Sequence, residues 1–201
     1  MASCGESYAL TREQAEGIES YATAARAGDD AVLVAAVDGG EMIVACVRTG
    51  GRWTTCWIAE NGGVESLYRS DRGDIFAWAY EGRGDPPFAF SALHLPATEA
   101  DRFCTSIGVP GDLNQPDWQG EAFSFDRFNV ADDGTGAIVG SSDVERDGRA
   151  ETWTFRYATT DGGRSWGEPE RVEGGCGVTG VYVRVEEQDE RLLEELRNSV
   201  A

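Results

Sequence analysis

Short β-prone runs separated by glycine turns constrain the fold of this chain more than any other feature. The first four runs cover residues 31–37, 41–48, 52–60 and 64–69. Turns with paired glycines follow the first three of them, as Asp38-Gly39-Gly40, Thr49-Gly50-Gly51 and Asn61-Gly62-Gly63. Glycine supplies the positive φ that tight hairpin turns require. With further runs at 74–80 and 88–95, the pattern predicts an antiparallel meander over residues 31–95.

The turn at Gly50 decides whether two cysteines can bond. A three-residue loop over 50–52 places Cys46 directly opposite Cys56, whereas a two-residue loop shifts the register and separates them. The sequence leaves both registers open. Apolar side chains occupy both faces of this hairpin, which predicts a sheet covered on both sides.

Helix signals lie at both ends of the chain. Thr11 and Gln14 fit a capping box, and apolar residues at helical spacing then predict a helix over residues 12–27. Near the other end, Asp189 is a predicted N-cap, and a leucine-rich stripe predicts a helix over 189–200.

The remaining segments complete one predicted domain over residues 11–201. They are a tail over 1–10, a long irregular connection over 96–120 that is rich in proline and glycine, and a second β region over 121–186. The strands predicted in that second region cover 121–130, 136–142, 151–159 and 177–186.

One motif stands out in the second β region. Its residues are Thr159, Asp161, Gly163, Ser165 and Trp166. A short carboxylate can accept turn amide hydrogens, a glycine can take a positive φ, and a tryptophan can close the turn by burying its ring. The segment resembles the Asp-box of the sialidase and BNR-repeat families, whose pattern is Ser/Thr-x-Asp-x-Gly-x-Ser/Thr-Trp.

The resemblance implies a fold more than a chemistry. In those families the box joins the outer strands of a propeller blade, remote from the active site, and here the resemblance covers roughly residues 123–172. Propellers need about four to eight blades of roughly 40–50 residues each, so this chain is too short for a six-bladed sialidase. We therefore expect a mainly β fold of antiparallel, propeller-blade-like sheets, forming an incomplete propeller or two packed sheets, with one helix at each end.

The charge balance limits the partners. The chain has 36 acidic and 17 basic residues, a net charge of −19, and every basic residue is arginine. Such acidity argues against binding to nucleic acid or anionic lipid, which leaves a protein or glycan ligand. No apolar run is long enough to predict a transmembrane span. The arginine and glycine content is typical of a GC-rich genome or of adaptation to high salt.

The five cysteines bear on the compartment. Ala2-Ser3-Cys4-Gly5 resembles the end of a bacterial lipobox, which makes Cys4 a candidate lipidation site and lipid anchor. Without Cys4 an even set remains, and the candidate disulfide cysteines are Cys46, Cys56, Cys104 and Cys176. Disulfides would indicate an oxidising compartment. The alternative is four buried thiols in a cytosolic protein.

No residue pattern nominates a catalytic, cofactor-binding or metal site. His94 is the only histidine, and its apolar neighbours favour a structural role. Carboxylates are abundant, but the sequence singles out no pair for glycoside hydrolysis. Trp118, in the predicted long connection, is the best candidate for an exposed ligand contact.

These observations favour a non-catalytic, extracytoplasmic binding or interaction protein of the bacterial envelope. Two alternatives stay open. One is a small glycan-acting hydrolase that uses aspartate or glutamate carboxylates, and the other is a cytosolic acidic protein of a salt-loving organism.

Overall fold

The computed structural model is mainly β, as the sequence predicts, and its sheets are antiparallel. It describes residues 4–26, 28–81, 89–97, 102–108, 124–146, 148–173, 182–185 and 187–200. The helices are α1 (Arg12–Glu16) and α2 (Glu190–Ser199). The strands are β1 (Ser20–Ala25), β2 (Ala31–Val37), β3 (Met42–Thr49), β4 (Arg52–Glu60), β5 (Gly62–Ser70), β6 (Ile75–Glu81), β7 (Ala89–Leu95), β8 (Phe103–Gly108), β9 (Ser124–Val130), β10 (Gly136–Arg146), β11 (Arg149–Thr159), β12 (Glu170–Val172) and β13 (Tyr182–Val185).

The described strands form three sheets, each built around four strands that are consecutive in sequence. The first sheet has the order β1-β2-β3-β4, the second has β13-β5-β6-β7-β8, and the third has β12-β11-β10-β9. The chain divides into two compact units. The first unit comprises residues 1–83, 90–106 and 184–201, and the second comprises 84–89 and 107–183.

Within the first unit, two sheets pack face to face. Buried aliphatic side chains such as Val34, Ala45 and Ile58 of the first sheet share a core with Leu67 and Ala77 of the second sheet. Removing these apolar surfaces from water is the main stabilising contribution of the interface. The sequence predicts an incomplete propeller or two packed sheets for the whole domain, whereas the described strands form three sheets, of which these two belong to one core.

The helix α2 packs on the opposite face of the first sheet. Leu33, Val44 and Cys46 on that face pack against Leu193 and Leu196 of α2. The first sheet is therefore buried on both sides, and its hairpin carries apolar residues on both faces for that reason.

The C-terminal helix forms as predicted. The Asp189 side chain caps it by accepting a 2.9 Å hydrogen bond from the Arg191 amide, and Leu192, Leu193 and Leu196 are buried. At its end, the Arg197 guanidinium donates to the carbonyl oxygens of Ala15 and Ile18, at 3.1 Å each. None of the helices in the described ranges is long and apolar enough to cross a bilayer.

The N-terminal helix is much shorter than the predicted 12–27. Its capping box forms, with the Thr11 hydroxyl and the Gln14 side chain each accepting a backbone N–H. However, α1 ends at Glu16, and residues 20–25 form β1, which pairs with β2 from Ser20↔Ala36 to Ala25↔Ala31. Tertiary hydrogen bonding to a buried neighbour strand outweighs the helical spacing of small residues, which have weak intrinsic preferences.

The prediction of an irregular connection over 96–120 is wrong at β8. Within Phe103–Gly108, Thr105 and Ile107 are buried while Ser106 is exposed, which is strand alternation. The prolines and glycines on either side concealed this short period-two signal. Residues 98–101 and 109–123 lie outside the described residues.

The hairpin between β3 and β4 has the two-residue loop. Thr49 pairs with Arg52, and Gly50 and Gly51 both adopt positive φ, as two-residue primed turns require. Cys46 consequently lies opposite Thr55 rather than Cys56, and both cysteines are free and buried. The prediction of Cys46 and Cys56 as directly paired disulfide cysteines is therefore wrong.

Candidate functional site

The five predicted Asp-box residues meet in one tight turn after β11. The Asp161 carboxylate accepts hydrogen bonds from the Thr159 hydroxyl at 2.8 Å and from the Ser165 amide at 2.9 Å. The Ser165 hydroxyl donates to its second oxygen at 2.5 Å. A short carboxylate thus holds both sides of the turn, as the sequence predicts for this position.

The Thr159 side chain stabilises the same turn. Its buried hydroxyl accepts hydrogen bonds from the amides of Gly163, at 3.0 Å, and Asp161, at 3.3 Å. Gly163 adopts a φ of 86°, a conformation that side chains with a Cβ rarely take. The polar groups of the motif therefore satisfy one another within the loop.

The turn over residues 159–166 is joined to the β9–β10 turn beside it. The Gly162 amide donates to the Gly134 carbonyl at 2.9 Å. In that second turn the Asp133 carboxylate accepts from the amide and hydroxyl of Thr135, at 2.9 and 2.7 Å. Two neighbouring loops are thus each pinned by an aspartate and joined through their backbones.

Trp166 closes the turn against aromatic side chains of the second unit. Its ring centroid lies 5.9 Å from that of Phe128, which in turn lies 4.7 Å from Tyr182 in an edge-on arrangement. Packing of this kind fixes where the loop sits on the third sheet.

The electrostatics of the turn favour a structural role. Hydrogen bonds from the Ser165 hydroxyl and amide lower the pKa of Asp161 to about 2. A carboxylate that is ionised at neutral pH and fully engaged by donors is a poor general acid. The turn therefore positions backbone and does not offer an acid–base group.

The outward face of the third sheet carries two arginines in one row. The register pairs Val139 of β10 with Arg127 of β9 on one side and with Arg156 of β11 on the other. Glu170 of β12 continues the row beside Arg156. Cross-strand neighbours point to the same face, so two positive side chains flank one valine.

Beside this row lies a concavity of about 410 Å³ with a floor of small residues. Asn129, Ala137 and Ala158 lie two register positions along the sheet and so form the next row on the same face. The concavity is lined by Asn129, Ala131, Thr135, Gly136, Ala137, Arg156, Ala158, Thr159 and Thr160. The lining combines small residues with the polar side chains of Asn129, Thr135 and Arg156.

The two arginines are available to a ligand to different degrees. The Arg156 Nη1 lies 3.8 Å from the Glu170 carboxylate, a long contact between groups that keep 39% and 69% of their exposure. Exposed pairs of this kind contribute little free energy. Arg127 is exposed and forms no ion pair with any residue that the structure describes.

His94 has the structural setting that its sequence neighbours predict. Its ring stacks on Phe76 with centroids 4.2 Å apart and meets the edge of Phe103 at 4.7 Å. Both ring nitrogens are buried, so the imidazole belongs to an aromatic cluster of the second sheet.

The remaining candidate cysteines fall in different places. Cys104 forms a disulfide with Cys4, a pairing that the sequence did not predict. Since a sulfur in a disulfide cannot also carry a lipid, the structure contradicts Cys4 as a lipidation site in this form of the protein. Cys176 and the ligand-contact candidate Trp118 lie outside the described residues.

Within the described ranges, no group of three or more histidine, cysteine, aspartate or glutamate side chains could hold a metal ion. No family model, curated protein or solved structure matches this chain. The site therefore has to be interpreted from its own geometry.

Sequence reasoning missed the arginine row. Arg127 and Arg156 lie on different strands, and the pairing of β9 with β10 is interrupted by a register shift between Val139 and Gly140. Such bulges change which residues are opposite one another and leave no reliable trace in a single sequence. The only available signal was the presence of cations in a strongly acidic chain.

Proposed function

We propose that this chain is a non-catalytic, extracytoplasmic binding protein whose ligand docks on the outward face of the third sheet. The observation that carries the proposal is the pair of arginines, Arg127 and Arg156, beside a concavity whose walls offer amide and hydroxyl groups. Guanidinium groups match carboxylate and sulfate geometry. We infer a ligand with an anionic group, carried on a glycan or on a protein.

The rigidity of the neighbouring turns supports binding at this face. Asp161 and Asp133 hold their loops through internal hydrogen bonds, and Gly162 joins the two. Thr135 and Thr160 at the concavity belong to these loops. A preorganised wall reduces the ordering entropy that a ligand must overcome.

The disulfide between Cys4 and Cys104 supports the proposal that the protein is extracytoplasmic. Disulfides persist in oxidising surroundings and are rare in the reducing cytosol. This favours export over the alternative of a cytosolic acidic protein.

Binding arrays of glycans and proteins test the proposal directly. We expect a ligand to be retained by the wild type and weakened at least about tenfold, or roughly 1.4 kcal/mol, by Arg156→Gln. Arg149→Gln is the matched control, since it removes the same charge from the same strand at a position outside the row. Binding should also weaken with added salt.

Two results would contradict the proposal. Equal binding by the Arg156→Gln and wild-type proteins would mean that the ligand does not bind at the arginine pair. Turnover of a glycan that is lost on changing one aspartate or glutamate would replace the binding function with hydrolysis.

A further inference from the structure

The native disulfide joins two cysteines that have two others between them in the sequence. Cys4 and Cys104 are bonded across a separation of 100 residues, whereas Cys46 and Cys56 are free thiols in the folded protein. The free pair is only ten residues apart, the shortest separation of any two cysteines in the chain. Because the probability of closing a loop falls as the 3/2 power of its length, the unfolded chain brings the free pair together about 30 times more often than the native pair.

The free pair is also available to an oxidant earlier than the native pair. In a chain that is synthesised and exported from its N-terminus, Cys46 and Cys56 both emerge before Cys104. Cys46 stays accessible for longer still, because the folded protein buries it against Leu193 and Leu196 of α2, which is synthesised later. Sequence distance and order of synthesis therefore both favour a first bond between Cys46 and Cys56.

This first bond is incompatible with the native β3–β4 hairpin. Native pairing places Cys46 opposite Thr55 and Cys56 opposite Ala45. The two cysteine side chains lie on opposite faces of the first sheet, since Cys46 packs toward α2 and Cys56 lies in the core shared with the second sheet. A disulfide requires Cβ atoms about 3.5–4.5 Å apart, which side chains on opposite faces cannot reach.

The first bond fits a competing register of the same hairpin. With a three-residue loop over 50–52, Cys46 lies directly opposite Cys56. Native pairing has this same one-residue offset at Ile43↔Ala59, on the far side of its register shift. The competing register extends the offset to the turn and forms a regular ladder, so a bond between the two thiols would hold a hairpin that is itself well formed.

The native bond depends on the native register, because the segment that carries Cys4 docks on the open edge of β4. The Gly5 amide donates to the Trp57 carbonyl at 2.8 Å. The Tyr8 amide donates to the Thr55 carbonyl at 2.9 Å. The predicted N-terminal tail is therefore wrong for these residues, which form a hydrogen-bonded segment beside the first sheet.

The competing register removes this docking edge. The N–H and C=O groups of successive strand residues point to alternate edges of the strand, so a one-residue shift turns those of Thr55 and Trp57 toward β3. The same shift moves the Trp57 side chain into the position that Cys56 occupies in the core between the sheets. Cys4 therefore lacks its place beside Cys104 until the register is corrected.

We propose that this protein requires a thiol–disulfide exchange catalyst as a partner, because Cys46 and Cys56 form a first bond that holds the β3–β4 hairpin in the competing register. That bond forms when the two thiols pass two electrons and two protons to a disulfide oxidant. A thiolate of the catalyst then bonds to one of the two sulfurs, the S–S bond breaks, and the other sulfur leaves as a thiolate and takes up a proton. In the net exchange Cys46 and Cys56 gain the two electrons and two protons that Cys4 and Cys104 lose, so no further oxidant is needed.

Folding makes the corrected pairing permanent. Burial raises the pKa of Cys46 to about 12 and that of Cys56 to about 11. Since the thiolate is the form that attacks a disulfide, buried thiols with such pKa values do not re-enter the exchange. The encounter with a catalyst in the cell rests on the extracytoplasmic location proposed above, whereas the exchange itself does not.

Oxidation of the reduced, unfolded full chain during dilution from denaturant tests the proposal. Diamide is the oxidant, because it oxidises thiols without leaving a thiol product. Trypsin cleaves after Arg48 and Arg52, so mass spectrometry of the digest distinguishes a bond between Cys46 and Cys56 from the native bond. We expect the first bond to exceed the native bond about tenfold or more with diamide alone, and reduced glutathione added afterwards to convert it to the native bond.

A Cys46→Ala, Cys56→Ala variant should reach the native bond with diamide alone, at about tenfold the wild-type yield. Cys56→Ala by itself removes the same competing bond with a smaller change to the core. Cys176→Ala is the matched control, because it also removes one thiol but leaves the competing pair, and it should still need glutathione.

Two results would overturn the proposal. One is a wild-type yield of the native bond in diamide alone that equals the yield of the double variant. The other is a Cys46–Cys56 bond that persists in glutathione in a protein with the circular dichroism of the native fold, because that bond would then be compatible with the fold. Neither result bears on ligand binding, so the comparison of Arg156→Gln with wild type stands apart from this test.

Discussion

Replacement of Asp161 by alanine should destabilise the second unit measurably. The carboxylate accepts three hydrogen bonds, from the Thr159 hydroxyl and from the amide and hydroxyl of Ser165. Hydrogen bonds to charged groups contribute about 1.5–3 kcal/mol each, but solvent screens this exposed site, and we discount each to roughly 0.5–1 kcal/mol. The expected loss is about 1.5–3 kcal/mol, because the freed Ser165 donors can bond to water whereas the Thr159 hydroxyl is buried.

The same carboxylate gives a pH signature. Its pKa is lowered from 3.8 to about 2 in the folded protein. A depressed folded pKa means that the unfolded chain binds the proton more readily, so the contribution is complete above 3.8 and is lost as pH falls towards 2. The difference in stability between wild type and Asp161→Asn should therefore be constant near neutrality and shrink over that acidic window.

Hydrogen exchange of amides in β10 and β11 is the appropriate assay, because it reports the opening of the third sheet alone. Asp133→Ala is the matched control in the neighbouring turn, where the carboxylate accepts from Thr135 only, and it should cost less. A change below about 0.5 kcal/mol in Asp161→Ala, or a larger effect of Asp133→Ala, would refute the argument that Asp161 holds the turn.

Three further outcomes are expected. Leu196→Ala, at a fully buried position of α2, should cost about 2–5 kcal/mol in urea denaturation because it leaves a cavity against the first sheet. Gly136→Ala places a Cβ only 2.3 Å from a carbonyl oxygen of β9 and should lower the melting temperature, whereas Gly167→Ala, whose nearest atom is at 3.6 Å, should change it little. Burial raises the pKa values of Cys46 and Cys56 to about 12 and about 11, so neither thiol should react quickly with Ellman's reagent at pH 8 until the chain is unfolded.

The sequence predicted those elements whose local signals agree with their surroundings. Ala31–Val37 and Arg52–Glu60 have the predicted bounds, because each β-prone run is followed directly by a turn residue at positive φ, Asp38 at 52° and Asn61 at 51°, a conformation that Asp and Asn adopt more readily than most residues. The hydrogen-bonded turn at Asp161 was predictable because its partners are local: Thr159, Asp161 and Ser165 bond to one another within seven positions.

Features that depend on distant partners were not predictable. Residues 20–25 pair as a strand with β2 although their spacing suits a helix. Cys4 and Cys104 meet across a separation of 100 residues, and no spacing rule could select that pair among five cysteines. The arginine row of the candidate site likewise depends on how β9, β10 and β11 are aligned.

The packing of α2 on the first sheet has a consequence for biosynthesis. One apolar face of the first sheet, with Leu33 and Val44, is covered by side chains of α2, which is synthesised long after the strands that it covers. During translation that apolar face stays exposed to water, although the strands of the first sheet can already pair with one another. We therefore expect fragments truncated before residue 189 to aggregate, and the nascent chain to depend on holding factors until α2 has emerged.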